Sequence, residues 1–78
     1  MSMGRAYGEW KRAVRECYHP QDRNYKDVGA KGIRMHGPWR ERFENFVQDM
    51  GPPPENGVLR RHDLSQDFKP ENCYWHNG

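Results

Sequence analysis

The sequence has few apolar residues and no long apolar run. Only 33% of its 78 residues are hydrophobic, and no stretch approaches the roughly 18 consecutive apolar residues that a membrane span requires. No basic segment followed by an apolar one opens the chain, so nothing in it resembles a secretory signal. We therefore expect a cytoplasmic protein with no membrane partner.

Cysteine is equally scarce. The chain contains two, Cys17 and Cys73, and it has no C-x-x-C pair. In a reducing compartment such residues are more often thiols or metal ligands than halves of a disulfide. The long spacing between them does not by itself exclude a bridge.

A chain this short has little capacity to bury a hydrophobic core, and chains of this size often need an additional staple such as a metal ion. The sequence partly compensates with three Trp, four Tyr and three Phe, because each large ring removes much area from water. We predict a single small domain over residues 1–78.

The net charge is only +2, but the charges are unevenly distributed. Residues 1–37 carry eight Lys or Arg and four acidic residues, whereas residues 38–57 carry two and four. A local excess of positive charge favours an anionic partner such as nucleic acid. The same imbalance is also typical of an ordinary solvated surface, so charge alone leaves both interpretations open.

Apolar periodicity predicts two helices. The first covers Arg5–Tyr18 and ends before Pro20, and its apolar stripe consists of Tyr7, Trp10, Val14 and Cys17. The second begins at Pro38 and ends at Gly51, which three prolines follow. Its apolar stripe consists of Trp39, Phe43, Phe46, Val47 and Met50.

Two short alternating segments near the C-terminus predict a hairpin. They are Val58–His62 and Asn72–His76, and a polar loop, Leu64–Glu71, lies between them. Alternation places Val58, Arg60 and His62 on one face, with Leu59, Arg61 and Asp63 on the other. The predicted fold is therefore α+β, with two helices packed on a short C-terminal hairpin. Its predicted core is Trp10, Val14, Trp39, Phe43, Phe46, Val47, Leu59 and Trp75.

The chain carries a series of short motifs. They are E-C-Y-H-P at 16–20, Y-K-D-V-G-A-K-G-I-R-M-H at 25–36, W at 39, F-E-N-F at 43–46, D-M-G at 49–51, L-R-R-H-D at 59–63 and F-K-P-E-N-C-Y-W at 68–75. With these motifs in order and at compatible spacing, residues 7–75 resemble small phage and mobile-element proteins related to HNH endonucleases. Each motif alone is unspecific, and the resemblance depends on the whole series.

The resemblance implies a ββα-metal finger, in which a hairpin carries a metal-binding acid and a general-base histidine. A metal ion such as Mg²⁺ stabilises the phosphate charge while the histidine activates water. On this chain the implied catalytic candidates are His62, Asp63 and Asn72. The amide of Asn72 is expected to brace the hairpin.

Three departures from the family pattern fall where its activity resides. Arg60 stands at the acid position, where a cation cannot coordinate a metal, and Arg61 stands at the base position. His62 is one residue further on and faces the opposite side of the strand. The sequence after the hairpin is too short for the helix that carries the last ligand. We therefore expect a truncated finger in a catalytically degenerate nucleic-acid-binding module. The alternatives are an active metal-dependent endonuclease that uses His62 and a non-catalytic protein-interaction domain.

The resemblance also implies a candidate zinc site. Cysteine often stands in the family at the positions of Cys17, His36 and Cys73, and histidine can replace cysteine as a zinc ligand. With His76, or with His19 in its place, these residues would form a structural site that staples the thin core. Alternatively, both cysteines act as small buried hydrophobic side chains.

Basic residues along the chain supply candidate phosphate contacts for a DNA partner. The predicted set is Arg12, Arg15, Lys31, Arg34, Arg60 and Arg61. Tyr25, Tyr74 and Trp75 are candidates for stacking on bases if their rings are exposed. The sequence leaves the target sequence and the oligomeric state open.

Overall fold

The computed structural model describes residues 3–77. Its helices and strands are α1 (Gly4–Tyr18), α2 (Gly37–Glu41), α3 (Phe43–Met50), β1 (Gly57–Arg61) and β2 (Cys73–Asn77), and two single-turn 3₁₀ helices cover Tyr25–Asp27 and Gly29–Lys31. The predicted α+β class is confirmed. None of the described helices combines the length and apolar character needed to cross a membrane.

Helix α1 forms where the sequence predicts it. The helix ends at His19, whose backbone is extended and whose N–H donates to the Arg15 carbonyl at 2.9 Å. Its most buried face includes the small residues Ala6 and Ala13, each 0% exposed. The larger Trp10 lies at the edge of the core and donates its indole N–H to the Trp39 carbonyl at 2.9 Å.

The second predicted helix is in fact two helices. Arg42 interrupts it with an extended backbone, φ −145° and ψ 133°. The break brings the fully buried rings of Trp39 and Phe46 edge to face, with centroids 4.9 Å apart. Seven residues of continuous helix would set their Cα atoms about 10 Å apart along the axis. The Asn45 amide donates at 2.9 Å to the Pro38 carbonyl, which also accepts from the Arg42 N–H at 3.2 Å, so α3 is tied to the first turn of α2.

The hairpin follows the predicted alternation, with both strands displaced by one residue from their predicted bounds. The strands are antiparallel, and Leu59 pairs with Trp75. Leu59 is 2% exposed, whereas its neighbour Arg60 is exposed. The Trp75 indole N–H donates to the Met50 carbonyl at 3.1 Å, so the inward face of the hairpin packs against α3.

The core extends beyond the predicted set. Trp39, Phe46 and Leu59 are buried as predicted, and the other five predicted members pack partly buried around them. Cys17 and Cys73 are also buried, in agreement with the alternative interpretation of the two cysteines. The sequence did not predict the other buried residues, which are Ala6, Ala13, Val28, Ile33, Met35 and Phe68. Several of these lie in the middle segment, which joins the hairpin loop through a parallel bridge between Met35 and Phe68.

Candidate nucleic-acid interface

Asn72 braces the hairpin loop, as predicted. Its side chain is buried and accepts from the Asp63 N–H at 2.9 Å through Oδ1. Its Nδ2 donates to the carbonyls of Asp63 at 2.9 Å and Asp67 at 3.0 Å. The main chain of Asn72 also accepts from the His62 N–H at 2.8 Å, which continues the pairing of the strands by one residue. The amide therefore holds both ends of the loop.

Arg61 is a structural residue of the same loop. Its Nη1 donates to the carbonyls of Leu64 at 2.8 Å and Gln66 at 3.0 Å. The guanidinium lies over the Phe68 ring, 4.6 Å from the centroid. Because two carbonyls and a ring hold the guanidinium, the primary role of Arg61 is to stabilise the loop and not to bind a ligand.

Arg12 is engaged in the same way at the edge of β1. Its Nη2 donates to Glu9 at 2.8 Å and to the Leu59 carbonyl at 3.0 Å. The Leu59 N–H in turn donates to Glu9 at 3.0 Å. The Glu9–Arg12 pair thus satisfies both backbone groups of Leu59, as a neighbouring strand would, and it covers this edge of the two-stranded sheet. Arg12 also donates to Glu16 at 3.0 Å.

Burial alone would raise the pKa of Glu9. The hydrogen bonds from Arg12 and from the Leu59 N–H, together with the nearby positive charges, outweigh burial and lower the pKa below its ordinary value. Glu9 was not among the predicted site residues. Its spacing of three residues from Arg12 is the sequence signal that could have found the ion pair.

The other predicted phosphate-binding residues differ in how available they are. Arg34 donates to the carbonyls of Gly29 at 3.0 Å and Ile33 at 2.9 Å, and Arg15 lies 3.7 Å from Asp22. Lys31 and Arg60 are exposed, and within residues 3–77 neither side chain is held in an ion pair. Three of the six, Arg12, Arg60 and Arg61, line one cleft of about 140 Å³ between α1 and the hairpin.

The outward side of the hairpin carries an aromatic and basic surface. We call this surface the outer face, and it consists of Val58, Arg60, His62, Tyr74 and His76. Arg60 stands directly opposite Tyr74 in the pairing. The rings of His62 and Tyr74 are stacked, with centroids 4.4 Å apart and planes inclined by 19°. None of the five is acidic, so the outer face suits an anionic partner that carries flat rings.

The catalytic candidates do not form a catalytic pair. His62 is stacked on Tyr74 on the outer face. The Asp63 carboxylate accepts from the Ser65 hydroxyl at 2.6 Å and from the Ser65 N–H at 2.9 Å, and these hydrogen bonds lower its pKa. The Asn72 amide is fully occupied by the loop. The Asn72 amide thus contacts Asp63 only through the Asp63 main chain, and no two of the three side chains are hydrogen-bonded to each other.

The predicted zinc ligands do not come together. Among residues 3–77, no three His, Cys, Asp or Glu side chains form a group that could hold a metal ion. Cys73 faces the core, and His76, three residues along the same strand, lies exposed on the outer face. His36 packs edge to face on Trp39, with ring centroids 5.6 Å apart. The four residues as placed do not fit a zinc ion.

Both cysteines are buried thiols. Burial raises the pKa of Cys17 to about 12 and that of Cys73 to about 11. At neutral pH both side chains are therefore uncharged thiols within the core. The two side chains therefore match the alternative interpretation, in which they act as small hydrophobic core residues.

The three aromatic candidates for base stacking do not lie on one surface. Tyr74 is on the outer face, whereas Trp75 faces the core and packs on Phe46 with ring centroids 5.9 Å apart. Tyr25 lies in the first 3₁₀ helix, away from the hairpin in sequence. Of the three, only Tyr74 shares a face with Arg60.

Comparisons with protein-family models, curated proteins and solved structures gave no match. The resemblance to HNH-related proteins therefore stays a prediction from the sequence motifs.

Proposed function

We propose that this protein is a nucleic-acid-binding module that binds DNA through the outer face of its hairpin and does not cleave it. One observation carries the proposal. The braced hairpin presents the exposed Arg60, His62 and His76 and the half-buried Tyr74 together on one face, and none of these residues is acidic. Cations supply phosphate contacts and aromatic rings supply stacking surfaces.

The surroundings of Arg60 support the same function. Arg60 borders the cleft that Arg12 and Arg61 line together with Glu16, and Arg12 is paired there with Glu9 and Glu16. Those two arginines are held by the fold, whereas the Arg60 side chain has no ion pair within the described part of the chain. We infer that Arg60 makes the principal phosphate contact. The resemblance to HNH-related proteins and the two unpaired cysteines agree with a DNA-binding role in a reducing cytoplasm.

Fluorescence anisotropy with labelled DNA, in both single-stranded and duplex form, tests this function. We expect binding at about 50 mM salt that weakens as salt rises, because bound phosphates release counterions. Arg60→Ala is expected to weaken binding and to reduce the slope of log K against log salt by about 1.

Arg42→Ala is the matched control, because Arg42 is an exposed arginine that separates α2 from α3. It lies within residues 38–57, where acidic residues outnumber basic ones. It should leave both the affinity and the slope unchanged. The function is refuted if the folded protein binds neither form of DNA at low salt. Equal losses for the two variants would place the contact outside the outer face.

A further inference from the structure

We infer that the outer face recognises unpaired nucleotides of single-stranded DNA, with the His62–Tyr74 stack serving as a platform for a base. This inference rests on the proposed function and specifies its substrate. It begins from the two rings, which are nearly parallel at 19° with centroids 4.4 Å apart. The geometry is that of a short column of flat rings.

A further flat ring can be added to the His62–Tyr74 stack. His62 is exposed, and within residues 3–77 Tyr74 is the only ring packed on it. A nucleobase has a flat π-face that can extend such a column, and stacking of this kind tolerates any base. In a duplex the faces of the bases are covered by their neighbours, and only the base edges are accessible in the grooves. A ring platform therefore complements an unpaired base better than a paired one.

The packing of the hairpin against the helices also disfavours insertion of the hairpin into a groove of duplex DNA. A two-stranded ribbon can read the major groove when it enters a space about 12 Å wide. Here the inward face packs on α3 through Trp75, and the edge of β1 is covered by Glu9 and Arg12 of α1. The hairpin therefore forms one side of the domain and does not project from it, and this suits a single strand lying across the outer face.

Basic residues next to the stack are candidates for contacts with the phosphate backbone of such a DNA strand. Arg60 stands directly across from Tyr74, and His76 lies two residues further along β2 on the same face. Two residues of a strand span roughly 6.5 Å. Both basic groups lie on the side of the ring column toward the Val58–His76 end of the hairpin, where they can contact the phosphate on that side of a stacked base.

The experiment compares a labelled 15-nucleotide single strand with a duplex of the same sequence whose two ends are closed by ethylene-glycol linkers, so that it has neither free ends nor unpaired bases. We expect the single strand to bind at least tenfold more tightly. His62→Ala and Tyr74→Leu should each weaken single-strand binding about tenfold with an unchanged salt slope, because they remove stacking surface and no charge contact. Tyr7→Leu is the matched control, because it removes a partly exposed tyrosine ring on α1, outside the outer face, and it should bind as the unchanged protein does.

A 2-aminopurine base in the single strand supplies a direct optical readout. Its fluorescence should be quenched when the unchanged protein binds, and quenching should be lost in His62→Ala. Circular dichroism and urea midpoints show whether each variant folds, and His62→Ala replaces an exposed residue if Tyr74→Leu does not fold.

The outcomes separate this inference from the function on which it rests. Closed-duplex binding as tight as single-strand binding, or unchanged affinity in His62→Ala and Tyr74→Leu, would overturn the inference and leave DNA binding intact. Absence of binding to both DNAs would overturn the two together.

Discussion

The side chain of Asn72 forms two hydrogen bonds with the main chain of Asp63, one accepted from its N–H and one donated to its carbonyl, each 2.9 Å long. The two residues lie at opposite ends of the hairpin loop. A third hydrogen bond, to the Asp67 carbonyl at 3.0 Å, ties the middle of the loop to the same amide. The position of the loop, and with it that of His62, therefore depends on one buried amide.

Replacing this amide should destabilise the protein. Asn72→Ala leaves three main-chain groups without their partner, and we expect a loss of about 2 kcal/mol or more in the free energy of unfolding. Asn72→Asp keeps the shape but places carboxylate oxygen against two carbonyl oxygens, so it should cost a similar amount at neutral pH. Urea titrations measure both variants.

Asn45→Ala is the control for this prediction. It removes a single side-chain hydrogen bond, to the Pro38 carbonyl, and should cost about 1 kcal/mol. A smaller loss for Asn72→Ala than for Asn45→Ala would contradict the bracing role.

Glu9 should make stability depend on acid pH. Its pKa is lowered in the folded state from an ordinary value of 4.5, so the carboxylate stabilises the fold above that value and the contribution is lost as pH falls below it. Glu9→Gln should therefore lower stability by about 1 kcal/mol at pH 7. The difference should vanish at low pH, and Glu55→Gln, at an exposed residue, should show no such trend. If Glu9→Gln lowered the free energy of unfolding by the same amount at every pH, the result would argue against a stabilising Glu9–Arg12 ion pair.

The buried thiols should reduce stability at alkaline pH. In the folded protein the pKa values of Cys17 and Cys73 are raised to about 12 and about 11, whereas unfolded thiols ionise near 9. Stability is therefore unaffected below about pH 9 and falls as pH rises toward 11, by about 1 kcal/mol per thiol at pH 10. Urea titrations at pH 8 and pH 10 measure the change. Cys73→Ala should show a smaller fall than the unchanged protein, and an equal fall would place the titrating groups elsewhere.

Zinc should be absent from the purified protein. Cys73 and His76 lie on opposite faces of β2, so they cannot share one ion with Cys17 and His36. Elemental analysis should find no stoichiometric zinc, and a chelator should leave the melting temperature unchanged. One zinc per chain, together with a lower melting temperature after chelation, would show that the ligands are arranged differently in solution.

Plasmid DNA should remain intact when it is incubated with the protein and Mg²⁺. Arg60 would repel a cation, and the Asp63 carboxylate is already held by Ser65. Agarose gels should show no conversion of supercoiled DNA to the nicked form. Nicking that disappears in His62→Ala would instead support the nuclease alternative.

Local sequence patterns correctly predicted those helices, strands and turns that depend on interactions between residues close in sequence. The apolar spacing of Tyr7, Trp10 and Val14 located α1, and alternation assigned Leu59 and Arg60 to opposite faces of the hairpin. The stop at Gly51 was also predicted, and its backbone has a positive φ of 68°. These features depend on a residue and its neighbours within a few positions.

The break at Arg42 could not be predicted in this way. The apolar stripe of the second predicted helix continues through it, and a stripe of this kind fits one helix or two. The packing of Trp39 on Phe46 decides between them, and it depends on the shape of the whole core. For the same reason, the buried middle segment around Met35 and Phe68 was missed.

The sequence by itself determined the helical and alternating patterns and the uneven charge. The resemblance to HNH-related proteins implied that Asn72 braces the hairpin. Only the tertiary structure decided which cations are available and which side chains share a face. Arg12 is held by the distant Leu59 carbonyl and Arg61 by the Leu64 and Gln66 carbonyls of its own loop, whereas Arg60 remains exposed beside His62 and Tyr74. These contacts form only when the chain folds, and neither composition nor residue spacing predicts them.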